Sequence, residues 1–437
     1  MHSRKNLIFE SGERYATFVD DDGVLDFWVT LFVTVQLRPS HSQNAILGIL
    51  QDIAHFKLWE KVNERDVESE FREGKFLSGI DMVSIRDHCA HETRSIRRWY
   101  VASLKRNVVP LDKSRYSKTA PFERVGKGHQ ANRIAHIVQY LGFVARTILR
   151  NKSNFSDIEK LIEDMCRRLL KHRPRVSGKS GIRDDSEQCP HPEVFDHLMD
   201  CISEESEVNP YRNKGVKLRN ALMFELLYHT GMRSGELLSL RVEDIAFGPI
   251  ASVSIRRLHD DVIDPRRHQP VAKTLPRTIP IPSKLAERLR HYIVEIRASI
   301  KGASRHPFVF VTHHAARHCE GNPISDSTFR NRILKPAVKS NEELFNEVTR
   351  HGFRHNFNYR LSKKIDAHNE KAKEDPSITP ISEKQEMQLR KHLNGWISDH
   401  SAAGYNLRHI RDTANKLLSE DAKHQIKFKE ASFDVKY

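Results

Sequence analysis

The sequence predicts a mainly α chain with a small antiparallel β element, an α+β fold divided into two domains. Three observations lead there. Apolar residues recur three and four positions apart over much of the chain, the interval of a helix that buries one face. Only a few short stretches alternate apolar and polar residues as a half-buried strand does. A basic stretch bearing Gly, Ser and Pro, residues 172–185, carries no such periodicity and reads as an exposed linker. At roughly 100–200 residues per domain, 437 residues suggest two or three. The expected division is a helical N-terminal domain over residues 1–175, a linker over 176–190 and a second domain over 191–437.

The first domain opens on a β-like start around residues 16–18 and 24–34. A helix follows over 42–59, with Ala45, Ile46, Ile49, Leu50, Ile53 and Phe56 at helical intervals. Another covers 132–149, with Ile134, Ile137, Val138, Tyr140, Leu141, Val144 and Ile148. Between them lie Arg94, Arg97, Arg98, Trp99 and Tyr100, then Lys105 and Arg106. Basic residues interleaved with aromatics suit a surface that follows a phosphate backbone. The plainer alternative is a solvated helix face over a buried Trp99.

In the second domain, residues 216–228 carry a helical pattern, and Gly231 stands where a helix end favours positive φ. Residues 252–256 alternate as a strand, and 278–281 read as a second strand ending at Pro280. The polar, proline-bearing stretch 259–276 between them is a long hairpin-like connection. A helix begins at Ser283, residues 307–311 form a short apolar strand or buried turn, and helices are expected at 325–334, 351–365, 382–396 and 409–422.

Composition narrows the function classes. Hydrophobic residues make up 38% and charged residues 30%, a balance that fits neither a membrane protein nor a disordered tail. No apolar run approaches the ~20 residues of a membrane span, and the first residues lead into no signal-peptide pattern, so a cytoplasmic protein is expected. Cys89, Cys166, Cys189, Cys201 and Cys319 follow no framework spacing, which argues against a disulfide-stapled secreted domain. Lys and Arg number 72 against 57 Asp and Glu, a net charge of +15. That charge suits a polyanionic partner, nucleic acid above all.

Five elements that bear chemistry follow one another in the second half. Thr230-Gly231-Met232-Arg233-Ser234-Gly235-Glu236-Leu237 places Arg233 at a helix start after a glycine turn. There a guanidinium presents a planar fork suited to two phosphate oxygens. The alternative is an Arg233–Glu236 pair on a helix surface. Lys273, followed by Thr274, lies in the hairpin connection, where an ammonium can protonate a leaving oxygen. His351-Gly352-Phe353-Arg354-His355 sets His351 and Arg354 three apart, on one helix face. Gly395-Trp396 offers an indole N–H, and Gly404-Tyr405 follows nine residues later with a hydroxyl able to attack phosphorus.

This ordered set resembles the tyrosine recombinase, or phage integrase, family over about residues 200–420. Arg233, Lys273, His351, Arg354, Trp396 and Tyr405 stand at the positions of that family's catalytic residues, Trp396 replacing the commoner His. The resemblance implies attack by Tyr405 on a scissile phosphodiester, with Arg233 and Arg354 holding the non-bridging oxygens. It implies proton transfer through His351 and Lys273, supporting roles for Glu236 and His355, and no metal or ATP. It also implies double-stranded DNA as partner, clamped by Arg94, Arg97, Arg98, Lys105, Arg106 and Arg277, and a homotetramer on paired sites.

Three other readings stand beside it: a type IB topoisomerase, a non-catalytic DNA-binding protein on the same fold, and a metal-dependent nuclease built on Asp260, Asp261 and Asp264. The last lacks a second acidic group at a clear spacing. Cys189, His191, His197 and Cys201, with His318 and Cys319 further on, form no zinc knuckle and read as ordinary side chains.

Overall fold

The computed structural model describes residues 3–19, 22–104, 122–175, 190–314 and 319–398, together with Ala414 and Leu418. The chain divides into two compact units, Met1–Phe9 with Arg14–Ser180 and Glu10–Glu13 with Gly181–Tyr437. Among the described residues no helix is long and apolar enough to cross a membrane.

The first unit begins with an antiparallel pair, β1 (Ser3–Ile8) and β2 (Arg14–Val19), in register from Ser3 opposite Val19 to Ile8 opposite Arg14. Helices follow: α1 (Phe27–Phe32), α2 (Gln43–Val62), α3 (Val67–Arg72), α4 (Gly79–Cys89), α5 (Thr93–Leu104), α6 (Lys127–Leu149) and α7 (Phe155–Lys171). The strand expected at 24–34 is instead α1, continued by a π-helical turn over Val33–Leu37. Asp26 caps it by accepting from the Val29 N–H at 2.9 Å. Val29, Phe32, Val33 and Leu37 are fully buried. Their spacing makes a helical stripe, and burying that stripe outweighs the β preference of the branched residues. The strand read at 16–18 is real, and its partner β1 is too polar to have stood out. Helices α2 and α6 carry the core, with Ile53, Phe56 and Trp59 of the one and Ile134, Ile137 and Leu141 of the other in a single apolar cluster.

The second unit contains α8 (Pro192–Cys201), α9 (Lys214–Thr230), α10 (Ser234–Ser239), β3 (Ile245–Ala246), β4 (Ser252–Ile255), β5 (Arg277–Pro280), α11 (Ser283–His291), α12 (Asp326–Thr328), α13 (Lys335–Lys339), α14 (Glu342–Phe345), α15 (Gly352–Glu374) and α16 (Glu383–Asn394). The three strands form one antiparallel sheet in the order β3-β4-β5. Its Val253, Ile255 and Ile279 join the core around α9, where Leu222, Phe224, Leu226 and Leu227 are fully buried. Phe353 of α15 packs on Phe195 and Phe224 at ring separations of 5.1 and 5.7 Å. This fixes α15 against α8 and α9. Helix α15 runs nine residues beyond the expected end at 365. Helix α16 stops at Asn394 because Gly395 follows with φ 64°. The linker at 176–189 and, apart from Ala414 and Leu418, the helix expected at 409–422 lie outside the described residues.

Candidate active site

The site is assembled where α9 ends. Gly231 closes that helix with φ 61°, and a Cβ there would lie 2.4 Å from the Phe357 ring. Only glycine meets both demands. The tight turn sets Arg233 at the N-cap of α10, its own N–H donating to Glu236 Oε2 at 3.0 Å.

Glu236 is the hub. Its side chain is wholly buried and accepts from Arg277 Nη2 at 2.8 Å, from the Thr274 hydroxyl and from the Arg233 backbone. Arg233 Nη1 lies 3.8 Å from Glu236 Oε1 and is buried without a hydrogen-bond partner among the described residues. The expected surface pair is therefore a pair against a buried carboxylate. Burial alone would raise the Glu236 carboxyl, yet Arg277, Thr274 and the Arg233 N–H hold it below the ordinary glutamate value.

Arg277 ties the hub to α16, donating through Nε to the Leu393 carbonyl at 2.8 Å. The Leu275 N–H donates to the Gly395 carbonyl at 3.1 Å. The connection between β4 and β5 is thus clamped to α16 just after its Lys273-Thr274 segment. Lys273 itself is exposed between buried Ala272 and buried Thr274. The expectation that Arg277 touches DNA gives way here. Its side chain is 2% exposed and its guanidinium is enclosed against Glu236.

Arg354 is buried on α15. Its Nη1 donates to the Gly231 carbonyl at 3.0 Å and its Nη2 to the Asn394 carbonyl. Its guanidinium carbon lies 5.1 Å from the centre of the Trp396 ring, a cation–π contact. Trp396 is buried, as the plainer reading of an indole would have it, but against Arg354. His351 is exposed at the N-cap of α15, its ring edge-on to His355 at 4.8 Å. The two share the first turn with Arg354, although Arg354 points into the core and His351 does not. Arg350, beside His351, reaches the Ser234 hydroxyl of α10 at 3.4 Å and pairs with Asp326.

Hydrogen bonds and ring contacts thus link Arg233, Glu236, the Lys273 hairpin, Arg354 and Trp396. Tyr405 lies outside the described residues, as do Lys105 and Arg106. The sequence reading missed Thr274, Asn358 and Asn394, all buried and all bonded to the hub or to Arg354. For Asn358 the available signal was an asparagine in the interior of a helix, since it is a poor helix former and calls for a partner when buried.

In the first unit, Arg94, Arg97 and Arg98 are exposed on α5. Trp99 is 42% exposed, with its ring edge-on to Phe122, so the buried-tryptophan alternative fails. The helix is pinned from below at Thr93, which bonds to His55 Nδ1 at 3.0 Å and to Arg133 Nη2 at 3.3 Å.

The acids of the nuclease reading are engaged elsewhere. Asp264 is buried against Arg266 at 2.8 Å, and Asp261 binds Arg241 at 2.6 Å. Among the described residues no group of three or more His, Cys, Asp or Glu is placed to hold a metal ion.

Two curated relatives align with the chain. One is a tyrosine recombinase of Pseudothermotoga lettingae, 26% identical over 185 residues, which span 36% of this chain and 58% of that protein. The other is the tyrosine recombinase XerD of Halalkalibacterium halodurans, 31% identical over 149 residues, 34% of this chain and 42% of that protein. The chain therefore spans about half the length of each. A solved XerA recombinase is similar at 14% identity and a TM-score of 0.35, covering 89% of this chain and 97% of that one. A solved XerH site-specific recombinase bound to its difH substrate is similar at 13% identity and a TM-score of 0.38, covering 76% and 92%. A family model described as the phage integrase family matches residues 193–368, a span that holds Arg233, Lys273, His351 and Arg354 and stops short of Trp396 and Tyr405. Residues 193–368 thus match the phage integrase family, and both curated relatives are tyrosine recombinases.

Proposed function

We propose that the protein is a site-specific DNA recombinase, an integrase, that cleaves and rejoins strands through a 3′-phosphotyrosyl link at Tyr405. The observation that carries the reading is the buried Glu236 hub. It joins the Arg233 turn to the Lys273 hairpin, and through Arg277 to the α16 end whose Asn394 carbonyl holds Arg354. One buried carboxylate thereby organises the cationic groups that a phosphoryl transition state requires.

The chemistry follows from those groups. The Tyr405 hydroxyl oxygen attacks the scissile phosphorus in line, and the bond from phosphorus to the 5′-oxygen breaks. Arg233 and Arg354 take up charge on the non-bridging oxygens, and such preorganised donors are the largest contribution in reactions of this kind. His351 accepts the tyrosine proton, directly or by relay, with His355 beside it, and Lys273 protonates the departing 5′-oxygen. The Trp396 indole N–H adds a hydrogen bond to a phosphate oxygen. A 5′-hydroxyl from another strand reverses the attack, so the bond energy stays in the protein–DNA link. The first unit supplies the clamp through Arg94, Arg97 and Arg98 of α5, with Lys105 and Arg106 beyond it. The working form is a homotetramer on paired duplex sites.

The test is a nicked suicide duplex from the flanks of the protein's own gene, incubated without metal or ATP and run on a denaturing gel. The parent should give a slow covalent band, and Tyr405→Phe should bind the duplex and give none. A band from Tyr405→Phe would assign the nucleophile to another tyrosine. Relaxation of supercoiled plasmid without strand exchange would favour the topoisomerase reading.

A further inference from the structure

The seam between α15 and α16 is polar where an apolar seam would be expected. Asn358 and Asn394 are both fully buried. Each amide donates to the other's side-chain oxygen, Asn394 Nδ2 to Asn358 Oδ1 at 2.9 Å and Asn358 Nδ2 to Asn394 Oδ1 at 3.1 Å. Their second N–H groups go to backbone carbonyls, Asn358 to Arg354 at 2.9 Å and Asn394 to Arg390 at 3.0 Å. Arg390 closes the arrangement, donating to the Asn358 carbonyl at 3.2 Å and to the Ser362 hydroxyl at 2.6 Å. Every donor of both amides is thus used.

Such a pair is a costly way to hold two helices together. Asparagine is a poor residue inside a helix, and its amide is tolerated in a core only when fully bonded. Apolar side chains would supply cohesion without that risk. What they do not supply is a fixed distance and angle, which reciprocal hydrogen bonds do. Both ends of the pair bear on Arg354. Asn358 holds the Arg354 carbonyl, and the Asn394 carbonyl receives the Arg354 guanidinium. Two residues after Asn394, the Trp396 ring lies beside the same guanidinium.

We infer that Asn358 and Asn394 are positioning residues that set the α16 end against α15, and so aim the Arg354 guanidinium and the Trp396 ring at the reacting phosphate. The inference rests on the recombinase reading and extends it to residues outside the chemical set. A guanidinium misplaced by a fraction of an ångström loses its effect on a charged phosphate while DNA binding, spread over many contacts, is kept.

The experiment uses the full chain and a suicide duplex with the scissile position mapped on the parent. Cleavage rates are compared on the natural phosphodiester and on a methylphosphonate at that position, which lacks one non-bridging charge. Asn358→Ala and Asn394→Leu should each slow cleavage of the phosphodiester by about 10- to 100-fold. Their Kd for the duplex should stay within about twofold, and the methylphosphonate defect should shrink to a few-fold. Where a single variant melts, the double variant Asn358→Ala/Asn394→Leu removes both partners, leaves neither amide unpaired and carries the same comparison. Equal losses on both linkages, as a partly unfolded sample would give, or full activity of the double variant, would overturn the inference alone. A parent that forms no adduct on either linkage overturns the recombinase reading, and the inference with it.

Discussion

Glu236 shows how one buried side chain serves both stability and site geometry. Its carboxylate meets Arg277, Thr274 and the Arg233 N–H, with Arg233 Nη1 3.8 Å away. Replacing it with an isosteric amide leaves the Arg277 guanidinium enclosed without its counter-charge. Breaking a buried pair on one side costs about 3–5 kcal/mol. Glu236→Gln should lower the unfolding free energy from urea titration by about that amount at pH 7 and reduce cleavage, because the Arg233 turn and the Lys273 hairpin lose their common anchor. The pH dependence has a definite sign. Its carboxyl is held below the ordinary value of 4.5, so its stabilising contribution is complete above that value and is lost as the pH falls through the folded value. The gap between parent and variant should therefore narrow in acid, and a constant gap would remove the ion-pair account. At this scale the sequence was legible for residues that carry a motif and opaque for those that carry a contact. Arg233 and Arg354 stand in motifs, and both lie at the turn that ends α9. Arg277 could not be read, because a basic residue after a polar connection looks the same whether it faces DNA or, as here, a carboxylate forty-one positions back.

Elements were legible where periodicity decides burial. The interval pattern places α2, α6 and α9 close to where they lie, since each buries one continuous stripe. It failed at α1, where the choice between strand and helix rests on a capping aspartate and on which residues reach the core. The glycine ends were also readable. At Gly395 the demand is doubled, since a Cβ there would stand 2.8 Å from the Arg277 guanidinium and 2.9 Å from the Leu275 carbonyl oxygen. Helix α5 carries the prediction that belongs to this scale. It buries only Ile96 and leaves Arg94, Arg97 and Arg98 exposed, while Arg133 and His55 pin its start. A helix held so firmly for so little buried surface suits a role on its outer face. Replacing the three arginines with alanine should weaken duplex binding steeply. It should also flatten the slope of log affinity against log salt by about 2.7, at about 0.9 per phosphate contact. An unchanged slope would move the clamp to another face of the unit.

Across the whole molecule, buried histidines make acid a condition to which the fold should be sensitive. Burial, with His88 and Arg133 nearby, pushes His55 down to about 2, and burial, with Arg133 and His91 nearby, pushes His88 down to about 4. Both belong to the polar cluster beneath α5, with Asp52, His129 and His136 around Arg133. In the second unit, burial likewise lowers His229 to about 4 and His313 to about 3, from positions only partly enclosed. All four are neutral in the fold and take up a proton on unfolding below the ordinary value of 6.5. Stability is therefore complete above pH 6.5 and declines as the pH falls towards the folded values. For His55 and His88 the decline is up to about 1.4 kcal/mol per pH unit each, and Glu60 of the same unit, whose carboxyl burial raises to about 7, offsets about one of the two, leaving up to about 1.4 kcal/mol per pH unit. Tryptophan emission can follow that unit, because Trp28, Trp59 and Trp99 lie in it and only Trp396 lies in the other. Unfolding free energies from urea titrations should fall between pH 6.5 and 4.5 with a slope of about one proton, two from the histidines less one from Glu60. His55→Gln, which keeps a polar side chain in the cluster and cannot be protonated, should lose about one proton of that slope. A parent midpoint that holds level from pH 7 to 5 would mean that the cluster opens to water before the unit unfolds, and that the neutral pair is not what holds α5 in place.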